Sequence, residues 1–154
     1  MKRIVLKAFG GAALIGAALY AFSTVSAETD RVVLRDTDPA IVALGASVYE
    51  TNCASCHGAD LEGQANWRSP DEDGRPPAPP HDETGHTWHH DGDTLFRLTK
   101  YGVGAFINDP DYASNMPIYE GVLSDEEIIA VLSYIKSTWP EDIRARHNEM
   151  ENRQ

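Results

Sequence analysis

Residues 51–58 read Thr51-Asn52-Cys53-Ala54-Ser55-Cys56-His57-Gly58, and this stretch decides the fold. Two thiols three positions apart are followed at once by an imidazole. On one turn of helix the two sulfurs reach the two vinyl groups of a single porphyrin, and the imidazole of the next residue is then directed at the iron. The segment therefore predicts one covalent haem c, with thioethers at Cys53 and Cys56 and His57 as an axial ligand. If Cys and His are each about one residue in fifty, a given window matches by chance about once in 10⁵, and a chain of this length on the order of once in a thousand. Two other chemistries use cysteines so spaced. A thioredoxin-type dithiol needs a preceding strand within a βαβ pattern, and none is visible. A zinc site would have to recruit His86 and His90, but thirty residues separate Cys56 from His86, far from finger spacing.

Outward from the motif, helical periodicity dominates. Asp38 as N-cap and Pro39 at the first helical position predict a helix running to about Asn52. Its apolar residues Ile41, Leu44, Val48 and Tyr49 recur at three- and four-residue spacing, and Gly45 on the same side offers another helix a close approach. The expected partner lies near the C-terminus, where Ser124 and Glu127 form a capping box. There Ile128, Val131, Leu132, Ile135 and Trp139 make one stripe before Pro140 stops the helix. These stripes read as core faces that frame a cofactor pocket. A short third helix is expected over 94–100, started by Asp93 and ended by Gly102. Between it and the motif, residues 70–90 read as a loop lying against the haem, held extended by Pro76, Pro77, Pro79 and Pro80. The expected fold is all-α, with three to four short helices wrapped around one haem and a long Pro/His-rich loop.

An iron that carries electrons takes a second axial ligand, for which Met116, His81, His86, His89 and His90 are candidates. Met116 lies 59 residues after His57 in the polar loop Asn115-Met116-Pro117, while the other methionines are the initiator and Met150 near the terminus. That context favours Met116 as the ligand over Met116 as a gap-filling core residue. A thioether sulfur there would stabilise ferrous iron relative to a second imidazole.

The first 27 residues differ from the rest: Lys2, Arg3 and Lys7 precede an uncharged, mostly apolar stretch from Ala8 to Ala27. Val25-Ser26-Ala27 places small residues where signal peptidase requires them, so cleavage is expected before Glu28. An uncleaved anchor is the rival, weakened by Gly10, Gly11 and Gly16. Both readings export the domain and imply a periplasmic location, soluble or anchored to the inner membrane. The expected organisation is a leader over 1–27, a linker over 28–37, the haem domain over 38–140 and a polar C-terminal tail over 141–154. No acid lies among residues 1–27, so losing the three leader cations takes the formal charge from −11 to −14. Such a chain repels nucleic acid and suits partners with positive docking surfaces, an attraction weakened by salt.

These residues resemble those of class I c-type cytochromes of the bacterial mono-haem and di-haem type. The likeness covers about residues 38–140. It is carried by Gly45, Tyr49, Cys53 to Gly58, Asn115-Met116-Pro117, and Leu123 to Trp139 with Tyr134-Ile135-Lys136. The resemblance implies His57 as proximal and Met116 as distal ligand, and helices that cross near Gly45, Tyr49 and Tyr134. It also implies that a proline carbonyl accepts the other ring hydrogen of His57, a bond that orients the imidazole; Pro80 is the expected donor of that carbonyl. The departure is the stretch from Pro79 to His90, longer and richer in histidine than in small soluble cytochromes. Structural packing is its expected role, with copper or zinc binding and a docking or catalytic role as alternatives. Three functional classes follow: a carrier of single electrons that needs no catalytic residue, the haem-bearing subunit of an exported dehydrogenase or reductase, and a ligand-binding or peroxidatic haem. Donor and acceptor are redox proteins whose identity the sequence does not give.

Overall fold

The structure is a computed structural model that describes residues 31–153. The leader, its cleavage point before Glu28 and the anchor alternative lie outside the described residues. Helix α1 spans Pro39–Asn52, α2 Ala54–His57, α3 Gly92–Ile107, α4 Asp125–Thr138 and α5 Glu141–Glu151, with a 3₁₀ turn at Thr87–His89 between α2 and α3. No strand occurs among the described residues. The all-α architecture holds, with one more helix than expected.

Helix α1 starts as its sequence dictates. The Asp38 carboxylate accepts from the N–H groups of Ala40 and Ile41 at 3.0 and 3.4 Å, ahead of Pro39, which has no N–H to satisfy. The α4 capping box is also complete, Ser124 Oγ accepting from the Glu127 N–H at 3.3 Å and the Glu127 carboxylate from the Ser124 N–H at 2.8 Å. Helices α1 and α4 cross at Gly45, where an added Cβ would run into the Ala130 carbonyl and the Tyr134 side chain. Only a residue without a side chain allows this approach. Ile41, Val48 and Tyr49 are buried, and Val48 and Tyr49 share a core with Ile128, Val131, Leu132, Ile135 and Trp139. Leu44, placed in the same stripe by spacing, is 39% exposed. With Gly45 facing α4, the residue before it turns about 100° away around the helix.

Three boundaries differ from expectation. Helix α3 is capped by Asp91 rather than Asp93: the Asp91 carboxylate accepts from the N–H and hydroxyl of Thr94 at 2.8 and 3.0 Å. Asp93 instead accepts from the N–H of Val32 at 2.9 Å. Gly102 does break the helix, with φ of 81°, but the chain resumes a helical course to Ile107. Val32 to Asp36 are not a loose linker. Leu34 is buried, the Arg35 N–H donates to Ser133 Oγ at 2.9 Å, and Asp36 lies 3.3 Å from the buried Lys136 ammonium and 3.8 Å from Arg144. Nor are residues 141–151 a tail. Ile143 and His147, four apart and so on one face, are buried, and Glu151 accepts from the Gly92 N–H at 2.6 Å. A largely polar helix is anchored by two side chains, a pattern too sparse for hydrophobic periodicity to register.

Candidate haem site

Cys53 is the joint between α1 and α2, with φ −120° and ψ −39°. Its carbonyl accepts from the N–H groups of Cys56 at 3.1 Å and His57 at 2.9 Å, which winds the motif into one tight turn. Cys53 is half-buried and packs on the core, Cys56 is exposed, and the two sulfurs are not bridged. The chain then reverses at Gly58, in the left-handed region at φ 83°, where the Tyr49 hydroxyl donates to the Gly58 carbonyl at 2.9 Å. Tyr49 thus joins the α1–α4 crossing to the motif.

The returning loop is bonded back onto the motif. Gly63 donates to the His57 carbonyl, Gln64 to the Ala78 carbonyl and His81 to the Leu61 carbonyl, each at 2.8 Å. This brings the prolines against His57, whose Nδ1 lies 2.9 Å from the carbonyl of Pro79. The expected carbonyl was that of Pro80, and the correction has a packing cause. Pro80 is buried with its carbonyl turned to Gly85, where any Cβ would strike it.

The arrangement fits a covalent haem. With Nδ1 engaged by a carbonyl, Nε2 is the ring nitrogen left for a metal. Burial lowers the His57 pKa, partly offset by the Pro79 carbonyl, and so favours the neutral imidazole that a metal requires. Burial also pushes the free Cys53 thiol up to about 11, an environment that suits an uncharged sulfur such as a thioether.

Met116 lines a cavity of about 590 Å³ with Gly102, Val103, Tyr112, Ser114 and Ile118, and it also packs on the core cluster that Cys53 touches. The chain leaving Met116 is fastened at two points. Where Gly102 breaks α3, the carbonyls of Thr99 and Lys100 accept from the N–H groups of Tyr119 and Glu120 at 3.4 and 2.9 Å. The buried Tyr119 hydroxyl donates to the Asn52 carbonyl at 2.6 Å, beside Cys53. Burial raises the Tyr119 pKa to about 12, which keeps that hydroxyl a donor. The Met116 loop and the cysteine motif are therefore joined directly. Arg75 adds a link at the surface, donating to Asn115 Oδ1 at 2.7 Å.

The histidine-rich stretch is packed in aromatic pairs. His81 stacks on His57 with ring centroids 4.0 Å apart, His86 on Trp67 at 5.3 Å, and His89 on Trp88 at 3.7 Å, while His90 meets His86 edge-on at 5.6 Å. Among the described residues no three His, Cys, Asp or Glu side chains are grouped to hold a metal ion. Sequence reasoning missed Tyr119, the Gly102 kink as an anchor and the His81 stack. An aromatic three residues after the candidate methionine was the available signal for Tyr119, whereas nothing local marks His81 as a neighbour of His57.

Comparison with curated proteins and with solved structures found no match to either. A family model described as Cytochrome c matches residues 42–139, well over half of the chain, from the first turn of α1 to the buried Trp139 at the end of α4. With the helical architecture and the paired thiols ahead of His57, this match makes the chain a member of the cytochrome c family, a haem-binding c-type cytochrome of the kind that exchanges electrons with redox protein partners.

Proposed function

We propose that the protein is an exported mono-haem cytochrome c that carries single electrons between two redox proteins and catalyses no reaction of its own. Cys53 and Cys56 would hold the haem as thioethers, with His57 and Met116 as axial ligands. When bound, the haem supplies one-electron redox chemistry at its iron. His57 is held ready by Pro79, and this observation carries the reading, because the carbonyl takes Nδ1 and leaves Nε2 for the metal. His81 stands beside His57 and thus on the same side, so it is not the opposing ligand. Met116, whose loop returns to the cysteine motif through Tyr119, would supply the second ligand. His57 itself is buried, with His81 and Pro79 against it.

Residues 1–27 would act as the export leader, which places the domain in the periplasm, free or tethered. A charge of −14 once the leader is removed supports partners with positive docking surfaces. The test is a visible spectrum of protein matured with a c-type system, first oxidised and then reduced. The expected result is covalent haem with a weak near-red band in the ferric form that disappears on reduction and is absent from Met116→Ala. Haem without that band would move the reading to a ligand-binding or peroxidatic protein, and no covalent haem would overturn it.

A further inference from the structure

His81 presents a flat face to the flat face of His57, with centroids 4.0 Å apart and planes 19° from parallel. Both the backbone and the ring of His81 are held. The backbone N–H donates to Leu61 at 2.8 Å, and the carbonyl accepts from the indole N–H of Trp139 at 2.8 Å. Nδ1 lies 2.8 Å from the hydroxyl of Thr87, which is 5% exposed, and the Tyr49 ring closes on it edge-on at 6.2 Å. The bond to Thr87 and the Tyr49 edge hold the imidazole itself, and the two backbone bonds hold the chain that carries it. The hydrogen bond from His57 Nδ1 to the Pro79 carbonyl holds the ring at one edge, and the flat face of His81 limits its rocking about that bond.

We propose that His81 is a positioning residue for His57, its anchored face fixing the plane of the iron-ligating imidazole while Pro79 fixes the ring's edge. This rests on the reading of His57 as the iron ligand. The plane of an axial imidazole sets how the unpaired spin of ferric iron is shared among the four pyrroles. His81 would therefore control an electronic property of the iron without touching it. Thr87 and Trp139 hold His81 in turn, so the constraint begins in α4 and the 3₁₀ turn and ends at the ligand.

The test uses proton NMR of the ferric cyanide adduct of the full, haem-loaded protein. Cyanide replaces the distal ligand with a linear one, so the order and spread of the four haem-methyl resonances report the plane of His57. His81→Ala is expected to change that order or spread with haem still attached. His81→Phe, which keeps a flat face, is expected to retain the unmodified pattern, and Thr87→Val to shift it less than His81→Ala. An unchanged pattern in His81→Ala would show His81 to be packing alone and overturn the proposal. So would a His81→Phe pattern displaced as far as that of His81→Ala. If His81→Ala does not mature, Thr87→Val decides, and an unshifted pattern there overturns the proposal equally. Unmodified protein without covalent haem would overturn this inference together with the reading beneath it.

Discussion

The two sides of the candidate haem site are built differently. Around His57, residues 57–81 are closed by backbone bonds from Gly63, Gln64 and His81, by the bond to Pro79 and by the His81 stack. Around Met116, the bonds within the loop are local, such as the Met116 N–H to Ser114 Oγ at 3.1 Å, and Arg75 to Asn115 ties its tip at the surface. Ile118 beside it is 59% exposed. The Met116 loop is fastened firmly only after Met116, at Tyr119 and Glu120. His57 is fixed by many restraints, and Met116 is carried by a loop secured at one end. Changes near His57 should therefore register in folding, and changes near Met116 in ligation.

The largest effect expected removes both sides of the contrast. The double variant Cys53→Ala, Cys56→Ala should lose covalent haem completely, seen as absence of haem-linked mass in the denatured protein. Normal haem incorporation would break the assignment of both sides together. Met116→Ala should then separate them. Haem stays covalently attached and far-UV ellipticity stays unchanged, but the ferric near-red band is lost and the iron becomes high-spin or open to cyanide. A large loss of helix in this variant would mean that the Met116 side is as structural as the other.

A pair of hydrogen-bond deletions sharpens the comparison. Trp139→Phe deletes the indole N–H that holds the His81 carbonyl, and Tyr119→Phe deletes the hydroxyl that holds the Asn52 carbonyl. Each leaves a shielded acceptor without its partner, at a cost of about 1–3 kcal/mol in a denaturant titration of the holoprotein, to which Trp139→Phe adds the cost of the space left in the core. The two should differ in a second readout. Tyr119→Phe loosens the fastened end of the Met116 loop and should speed cyanide binding severalfold, whereas Trp139→Phe should leave that rate near the unmodified value. Equal rates would remove the distinction between a ligation side and a folding side.

What sequence could and could not show divides along similar lines. The α1 and α4 caps, the Gly45 crossing and the cysteine motif are local patterns of residue type and spacing, and all are found where the sequence predicts them. The choice between Pro79 and Pro80 was not legible, because adjacent prolines in an extended chain point their carbonyls to opposite sides and only packing against Gly85 decides. Helix α5 was not legible because Ile143 and His147 alone anchor an otherwise polar segment. The His81 stack joins residues 24 apart through a loop whose path depends on a bond to the Leu61 carbonyl and one from the Trp139 indole. Local rules found the elements, and the long-range polar contacts that set the site had no local signal.

The smallest effect expected lies where α5 meets the end of the histidine-rich stretch. His147 is fully buried, its Nε2 donates to the His90 carbonyl at 3.0 Å, and its Nδ1 has no hydrogen-bond partner. Lys136 of α4, Asp36 of the N-terminal strap, Arg144 and Glu151 of α5 and the Trp139 ring surround it. Burial and then the Lys136 charge lower its pKa, only partly countered by Glu151, the His90 carbonyl and Asp36. The folded state thus binds its proton less readily than the unfolded chain, which protonates near pH ~6.5. By linkage its neutral form costs no stability above that pH, and stability falls as the pH drops below ~6.5 towards the lower folded value. Denaturant midpoints of the holoprotein at pH 7.5 and 5.5 should differ less in His147→Gln than in the unmodified protein, with the ferric near-red band unchanged at both pH values. If that band weakens at pH 5.5 in the unmodified protein but not in His147→Gln, the docking of α5 reaches Met116, and the two sides are not independent.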